Sequence, residues 1–259
     1  MDRVYRGVNG LGRLALRALD VRVHPHGLEN LPASGPVVLA ANHVSFLDFV
    51  MIERAAVERG RYVRFLTRYD AWKPGPLAWV LDRMGHVPVD RGVPAAAYLR
   101  ARGLLRAGEA VGVFPEAGIS WSYTVRSLMR GAVALARETG APLVPVAVWG
   151  SQRIYSVGIP ESTFDLTRGR RVDVALGAPR TIPPGADLVE ETRALGHTLT
   201  GMLEELQSRP EHRPRPGEHA IWYPAHLGGQ APTRAEAAPY EELPGSAIRP
   251  TWGPGSGAA

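Results

Sequence analysis

Short apolar runs of strand length alternate along this chain with longer segments of helical period, and no other feature limits the fold as strongly. "VRVHPH" (21–26), "PVVLAA" (36–41), "RYVRFLTR" (61–68), "HVPVDR" (86–91), "AVGVFPEAG" (110–118), "APLVPVAVWG" (141–150) and "RRVDVALG" (170–177) read as strands, some running on into turns. "PGPLAWVLDRMG" (74–85), "PAAAYLRARGLLRAG" (94–108) and "RSLMRGAVALARETG" (126–140) read as helices, closed by Gly85, Gly108 and Gly140, and residues 187–208 form a last one. Strands separated by helices pair in parallel, because the crossover returns the chain to the same end of the sheet. The expected fold is therefore α/β: a single domain with a largely parallel central sheet flanked by helices, spanning residues 21–208.

The two ends differ from this body. Residues 209–259 are dense in Pro, Gly and Ala, and read as a tail extended partly over the core and disordered at its tip. Within it "AIWYPAHLGG" is the one apolar patch, with Trp222 and Tyr223 as anchors. Residues 1–20 form an amphipathic helix. Val4, Val8, Leu11, Ala15 and Ala18 share a stripe, flanked by Leu14 and Leu19, while Arg3, Arg6, Arg13 and Arg17 lie opposite. Such a helix suits the interface of an anionic membrane, and suits equally a place on the protein's own core with the arginines in water.

Composition narrows the chemistry. The chain has 259 residues and no cysteine, so no disulfide, Cys-ligated metal or thiol nucleophile is available. Net charge is +5, carried almost wholly by arginine, with Lys73 the single lysine; arginine favours phosphate groups, which it grips with two parallel hydrogen bonds. No run approaches the length of a simple membrane span. The eight histidines show no metal-ligand spacing, and neither a metal nor a bound cofactor is expected.

"AANHVSFLDFV" (40–50) places Asn42, His43, Ser45 and Asp48 where a strand gives way to a helix. In α/β folds ligands bind at that junction. One reading is a helix start, with Ser45 and Asp48 at capping-box spacing. The other is a general-base pair, His43 taking a proton and Asp48 fixing its tautomer. Two further polar clusters also end strands: Asp90 and Arg91 in "GHVPVDR", and Glu116 in "FPEAGIS".

Taken in order with "VPV" (Val144, Pro145, Val146), these clusters resemble the four motifs of the glycerophospholipid acyltransferase superfamily, in particular the bacterial 1-acyl-sn-glycerol-3-phosphate acyltransferases. The first, N-H-x-S-x-x-D, is matched by Asn42, His43, Ser45 and Asp48. The second ends on Arg91. The third, F-P-E-G-T-R-S, reads Phe114, Pro115, Glu116, Ala117, Gly118, Ile119, Ser120. "GLENLPASGPVVLAANH" is similar to the family's lead-in, and the likeness covers about residues 1–205.

The resemblance implies an O-acyltransferase moving a fatty acyl group from an acyl thioester, on coenzyme A or acyl carrier protein, to the sn-2 hydroxyl of 1-acyl-sn-glycerol-3-phosphate, giving phosphatidic acid. His43 is then the base and Asp48 its orienting partner, with backbone N–H groups near the helix start expected on the oxyanion. Arg91, Glu116, Gly118, Arg68 and Arg130 are expected to bind substrate, Arg91 on phosphate. Asn42, Ser45, Phe114, Pro115 and Pro145 are expected to shape the motifs. Membrane lipids, and no nucleic acid, are the implied partners, with a peripheral seat on the cytoplasmic face of the cell membrane. The chain departs from the pattern at Ala117, Gly118 and Ile119, where the family has Gly, Thr and a phosphate-binding Arg; Arg68, Arg126 and Arg130 are substitutes for that cation. Two alternatives stay open: the same chemistry on another lyso-lipid or glycolipid acceptor, and a non-catalytic lipid-binding protein on this scaffold.

Overall fold

The computed structural model describes residues 2–73, 75–90, 92–158, 161–241 and 249–253. Helix α1 (Asp2–Ala18) leads into β1 (Arg22–His26), β2 (Val37–Ala41), α2 (Asp48–Glu58), β3 (Val63–Arg68), α3 (Pro76–Arg83), β4 (Val87–Val89) and α4 (Pro94–Arg106). There follow β5 (Ala110–Val113), α5 (Gly131–Thr139), β6 (Leu143–Trp149), the two-residue strands β7 (Tyr155–Ser156) and β8 (Thr163–Phe164), β9 (Arg171–Leu176), α6 (Leu188–Ser208) and α7 (Arg234–Ala237). The main sheet has the order β1-β9-β6-β2-β5-β3-β4, with β7 and β8 forming a small separate hairpin.

All pairings in the main sheet are parallel except β6 with β9. The exception has a plain cause. Between β6 and β9 the described residues make a 3-10 turn and the β7–β8 hairpin, and among them no α-helical crossover carries the chain back to the starting end. Both faces of the sheet are covered, which is why its central strands β2, β5 and β6 are continuously apolar rather than alternating. In β2, Val38 and Ala40 join a core with α4, α5 and α6, while Val37, Leu39 and Ala41 join a second core with α2.

Helix α2, which follows β2, and helix α5, which follows β5, thus lie on opposite faces, although β2 and β5 are neighbours. A crevice opens at their carboxyl ends, as in other open α/β sheets. His43 follows β2 and Phe114 follows β5, so the first and third sequence motifs meet there.

Three expectations need correction. The helix expected over 126–140 begins only at Gly131. The backbone N–H groups before it are committed elsewhere: Arg126 to Glu116, Leu128 to the Trp252 carbonyl, Met129 to the Pro115 carbonyl. Second, residues 209–241 do more than extend over the core, although the expected anchors Trp222 and Tyr223 do hold them there. Ala220, Trp222, Ala231 and Trp252 belong to the same core as α5 and α6, and Tyr223 packs against it; Trp252 sits so close over Gly196 that a Cβ there would lie 2.4 Å from its ring. The tip expected to be disordered, 254–259, lies outside the described residues.

Third, α1 packs on the body with a different stripe from the apolar one. The Tyr5 hydroxyl donates to the Val63 carbonyl (2.6 Å) and to Glu53 (3.2 Å), and Asn9 donates to Glu53 (3.0 Å). Leu16 and Leu19 pack beside them on the α2 core. Leu11 and Leu14 stay outside, 71% and 60% exposed. Among the described residues no helix is long and apolar enough to cross a membrane.

Candidate active site

Asp48 is the first residue of α2, and its carboxylate turns back over the preceding loop. Oδ2 accepts the N–H groups of Val44 (2.7 Å) and Ser45 (2.9 Å) and lies 2.9 Å from Nδ1 of His43. Oδ1 accepts the Ser151 hydroxyl. The group is fully buried, so four donors replace the water it has lost. With Nδ1 engaged, the imidazole presents Nε2 toward the cleft that His43 lines. This is the arrangement that fixes one tautomer and leaves the other nitrogen as a proton acceptor.

Only half of the capping box forms: Asp48 Oδ2 accepts the Ser45 N–H, but the Ser45 hydroxyl does not accept the Asp48 N–H, which goes to the Ser45 carbonyl. The residue before α2 is Leu47, with no side chain capping the helix, and the Ser45 hydroxyl instead donates to the Tyr155 carbonyl. The amides of Val44, Ser45 and Asp48 are likewise committed, to Asp48 Oδ2 and to the Ser45 carbonyl, so none of them serves as the expected oxyanion donor.

Below the histidine lies the turn after β5. Glu116 is fully buried, with Oε1 accepting the His43 N–H (2.7 Å) and Oε2 the Arg126 N–H (2.8 Å). Burial pushes its carboxyl up to about 8, against the pull of those two N–H groups and of Arg126. It therefore ties two loops together rather than lining the acceptor pocket as expected. Ala117 holds a left-handed backbone, φ +55°, a conformation that costs an L-residue about 1–2 kcal/mol and a glycine little. The family's glycine at this place has that physical reason, and this chain keeps the turn without it.

Phe114 does more than shape the turn. Its ring stacks on the His43 imidazole, centroids 4.1 Å apart, and on Phe65 behind it. Phe65 in turn fills the space over Gly112, where a Cβ would come within 2.4 Å of its ring. Nothing local in the sequence signals this stack, nor the contact from Ser151, 103 residues from Asp48. The signal for Ser151 is its position, a polar residue just past β6, the strand beside β2.

The remaining expected residues divide. Gly118, Arg68 and Arg130 line the same cleft as His43, with Arg68 paired to Asp70. Asn42 and Pro145 are structural: the Asn42 amide bonds both the N–H and the carbonyl of Val148, clamping the end of β2 to β6, and Pro145 is buried in β6 opposite Ala40. Arg91 lies outside the described residues. The cleft encloses about 1460 Å³, walled largely by apolar side chains such as Leu66, Val93, Leu99, Ile119 and Leu135, and exceeds the usual small-molecule pocket.

A part-buried His43 paired with a fully buried Asp48, opening on a large apolar cleft at the carboxyl ends of an α/β sheet, makes a site that can hold a molecule with a large hydrocarbon part. Residues 22–149 match the Acyltransferase family model. It is 31% identical over 141 residues to a chloroplastic 1-acyl-sn-glycerol-3-phosphate acyltransferase from Arabidopsis thaliana, covering 53% of this chain and 38% of the relative. It is 27% identical over 190 residues to the 1-acyl-sn-glycerol-3-phosphate acyltransferase of Bacillus subtilis, covering 72% of this chain and 89% of that one. The chain thus spans well under half of the plant relative and most of the bacterial one. Its fold matches the crystal structure of a 1-acyl-sn-glycerophosphate acyltransferase from Thermotoga maritima, with TM-score 0.65 at 22% identity, over 79% of this chain and 80% of that one.

Proposed function

We propose that the chain is an O-acyltransferase that moves a fatty acyl group from an acyl thioester to the sn-2 hydroxyl of 1-acyl-sn-glycerol-3-phosphate, giving phosphatidic acid. The observation that carries this reading is the His43 imidazole, held at Nδ1 by Asp48 and opening on a cleft large enough for hydrocarbon. His43 Nε2 takes the proton of the acceptor hydroxyl as its oxygen attacks the thioester carbonyl. The tetrahedral intermediate then collapses, the C–S bond breaks, and the imidazolium returns the proton to the leaving thiolate. Such general-base help is worth about 10²- to 10⁴-fold. Asp48 stabilises the imidazolium, and Phe114, stacked on the ring, fixes its plane.

The donor is coenzyme A or acyl carrier protein, both acidic, toward which a net charge of +5 is attractive. The acceptor is drawn from a bilayer, and α1 offers the seat: Leu11 and Leu14 face outward beside exposed Arg13 and Arg17. The cytoplasmic face of the membrane is the surface where both donors are at hand. The second reading, an acceptor other than a phosphate ester, is favoured by Ile119, which stands in the cleft wall where the family has arginine.

Acyl transfer from acyl-CoA by purified protein, compared across 1-acylglycerol-3-phosphate, an uncharged monoacylglycerol and a zwitterionic lysophospholipid, separates these readings. Preference for the phosphate acceptor is the expected outcome. Preference for either of the others keeps the chemistry and moves the substrate, and lipid binding without transfer to any acceptor contradicts the catalytic reading.

A further inference from the structure

Arg126 lies seven positions beyond Ile119 in sequence, yet its guanidinium comes back to it: Nη1 donates to the Ile119 carbonyl at 3.3 Å. The loop thus returns a cation to the neighbourhood from which the third motif has lost one. Arg126 and Trp121 both line the cleft. Around this guanidinium stand two more donors, the Trp121 N–H and the Ser120 hydroxyl, and one carboxylate accepts from both of these and pairs with the guanidinium by charge. Glu241, from the C-terminal segment, accepts the Trp121 N–H at 3.0 Å and the Ser120 hydroxyl at 3.5 Å through Oε1, and its Oε2 lies 3.5 Å from Arg126 Nε. Its backbone carbonyl takes a further bond from Arg126 Nη2 at 2.9 Å. The preceding residue, Tyr240, packs against Trp121 and forms part of the cleft wall.

A guanidinium, a backbone N–H and a hydroxyl converging on one point are the donor set that a phosphate monoester accepts. A carboxylate supplies two of the same acceptor oxygens. We propose that Ser120, Trp121 and Arg126 form the anion cradle for the acceptor's phosphate, and that Glu241 fills it as an internal competitor. The identification of the phosphate with an acyl acceptor rests on the function proposed above; the cradle and its occupant rest on the geometry alone. A phosphate-bearing acceptor enters by displacing the Glu241 carboxylate, which is 15% exposed at the cradle's edge. An uncharged acceptor leaves the Arg126–Glu241 pair in place. The tail therefore sets how strongly the site favours a phosphorylated acceptor.

The test uses full-length protein and glycerol 3-phosphate as the probe, with binding measured by calorimetry. Glu241→Ala opens the cradle and Glu241→Gln removes the competing charge while keeping an acceptor for the Trp121 N–H. The expected result is binding at least about tenfold tighter in Glu241→Ala than in the wild type, with Glu241→Gln between them. Adding Ser120→Ala to Glu241→Ala returns part of the gain, and glycerol shows no gain in any variant. Kinetically, KM for 1-acylglycerol-3-phosphate falls in both Glu241 variants while KM for monoacylglycerol stays where it was. Equal affinity of wild type and both variants for glycerol 3-phosphate overturns the proposal and leaves Glu241 as a structural tie. A gain in probe affinity without acyl transfer to any acceptor keeps the cradle and overturns the proposed function. Normal phosphatidic acid formation with no gain does the reverse. Should Glu241→Ala melt well below the wild type, Glu241→Gln alone carries the comparison.

Discussion

Asp48 gathers the Val44 and Ser45 amides, the His43 imidazole and the Ser151 hydroxyl around one carboxylate, and so ties down the loop after β2 that carries the proposed base. The pair itself was legible, not from the apolar run alone, which equally suits a helix cap, but from its resemblance to N-H-x-S-x-x-D. Its support was not. Ser151 reaches the site through a tertiary contact, Phe114 was visible as a motif residue but not as the ring stacked on His43, and Glu116 looked like a pocket residue because spacing cannot distinguish a side chain that enters a cleft from one that holds its floor. Ala117 carries a prediction of its own. Replacing it by Gly relieves the left-handed strain but loosens the unfolded chain, leaving a net gain of about 0.5–1 kcal/mol. Thermal unfolding should show Tm higher by about 2 °C for Ala117→Gly; a lower Tm means the turn is not strained by Ala117.

Element boundaries were read well where local chemistry sets them and poorly where distant groups do. Prolines and glycines bracket α3 and α4 in the sequence much as in the structure. The start of α5 was misplaced because Leu128 pairs with Trp252, a partner that no local pattern reveals. The reversal between β6 and β9 escaped notice because the intervening residues look like any loop. Helix α1 is the instructive element. Its hydrophobic stripe was visible, but the contact with the body runs through Tyr5, Asn9 and Leu16 instead, leaving Leu11 and Leu14 in water. Glutamate at both leucines should weaken binding to anionic vesicles by about tenfold or more in a flotation assay, while transfer to a micellar acceptor stays near wild type. Undiminished vesicle binding would remove α1 as the membrane seat.

At the scale of the whole molecule, buried acids set the response to pH. Glu53, between α1 and β3, is pushed up to about 7, chiefly by burial, and Glu116 to about 8 for the same reason. A carboxyl whose folded pKa is raised adds stability that is complete below its unfolded value and is lost as pH rises through the folded one. Both therefore weaken the fold between about pH 4.5 and 8. Opposing them on the acid side, burial lowers His86 to about 4, so its share is lost as pH falls from about 6.5 through 4. Tm should fall as pH rises from about 5 to 8, and Glu53→Gln should flatten the part below pH 7; a Tm that rises across this range would show that neither acid is destabilised by burial. The α/β class and the parallel sheet were legible because alternation of period is a property of the whole chain. The C-terminal segment was legible only in part: its apolar patch marked Trp222 and Tyr223 as anchors, but nothing in its Pro- and Gly-rich composition singled out Trp252 as a core residue. The claim on which the functional account turns is that the His43 imidazole is the base, and single-turnover acyl transfer from acyl-CoA to 1-acylglycerol-3-phosphate by His43→Ala tests it most directly. The rate should fall at least about 10²-fold with donor and acceptor still bound; transfer at the wild-type rate would contradict it.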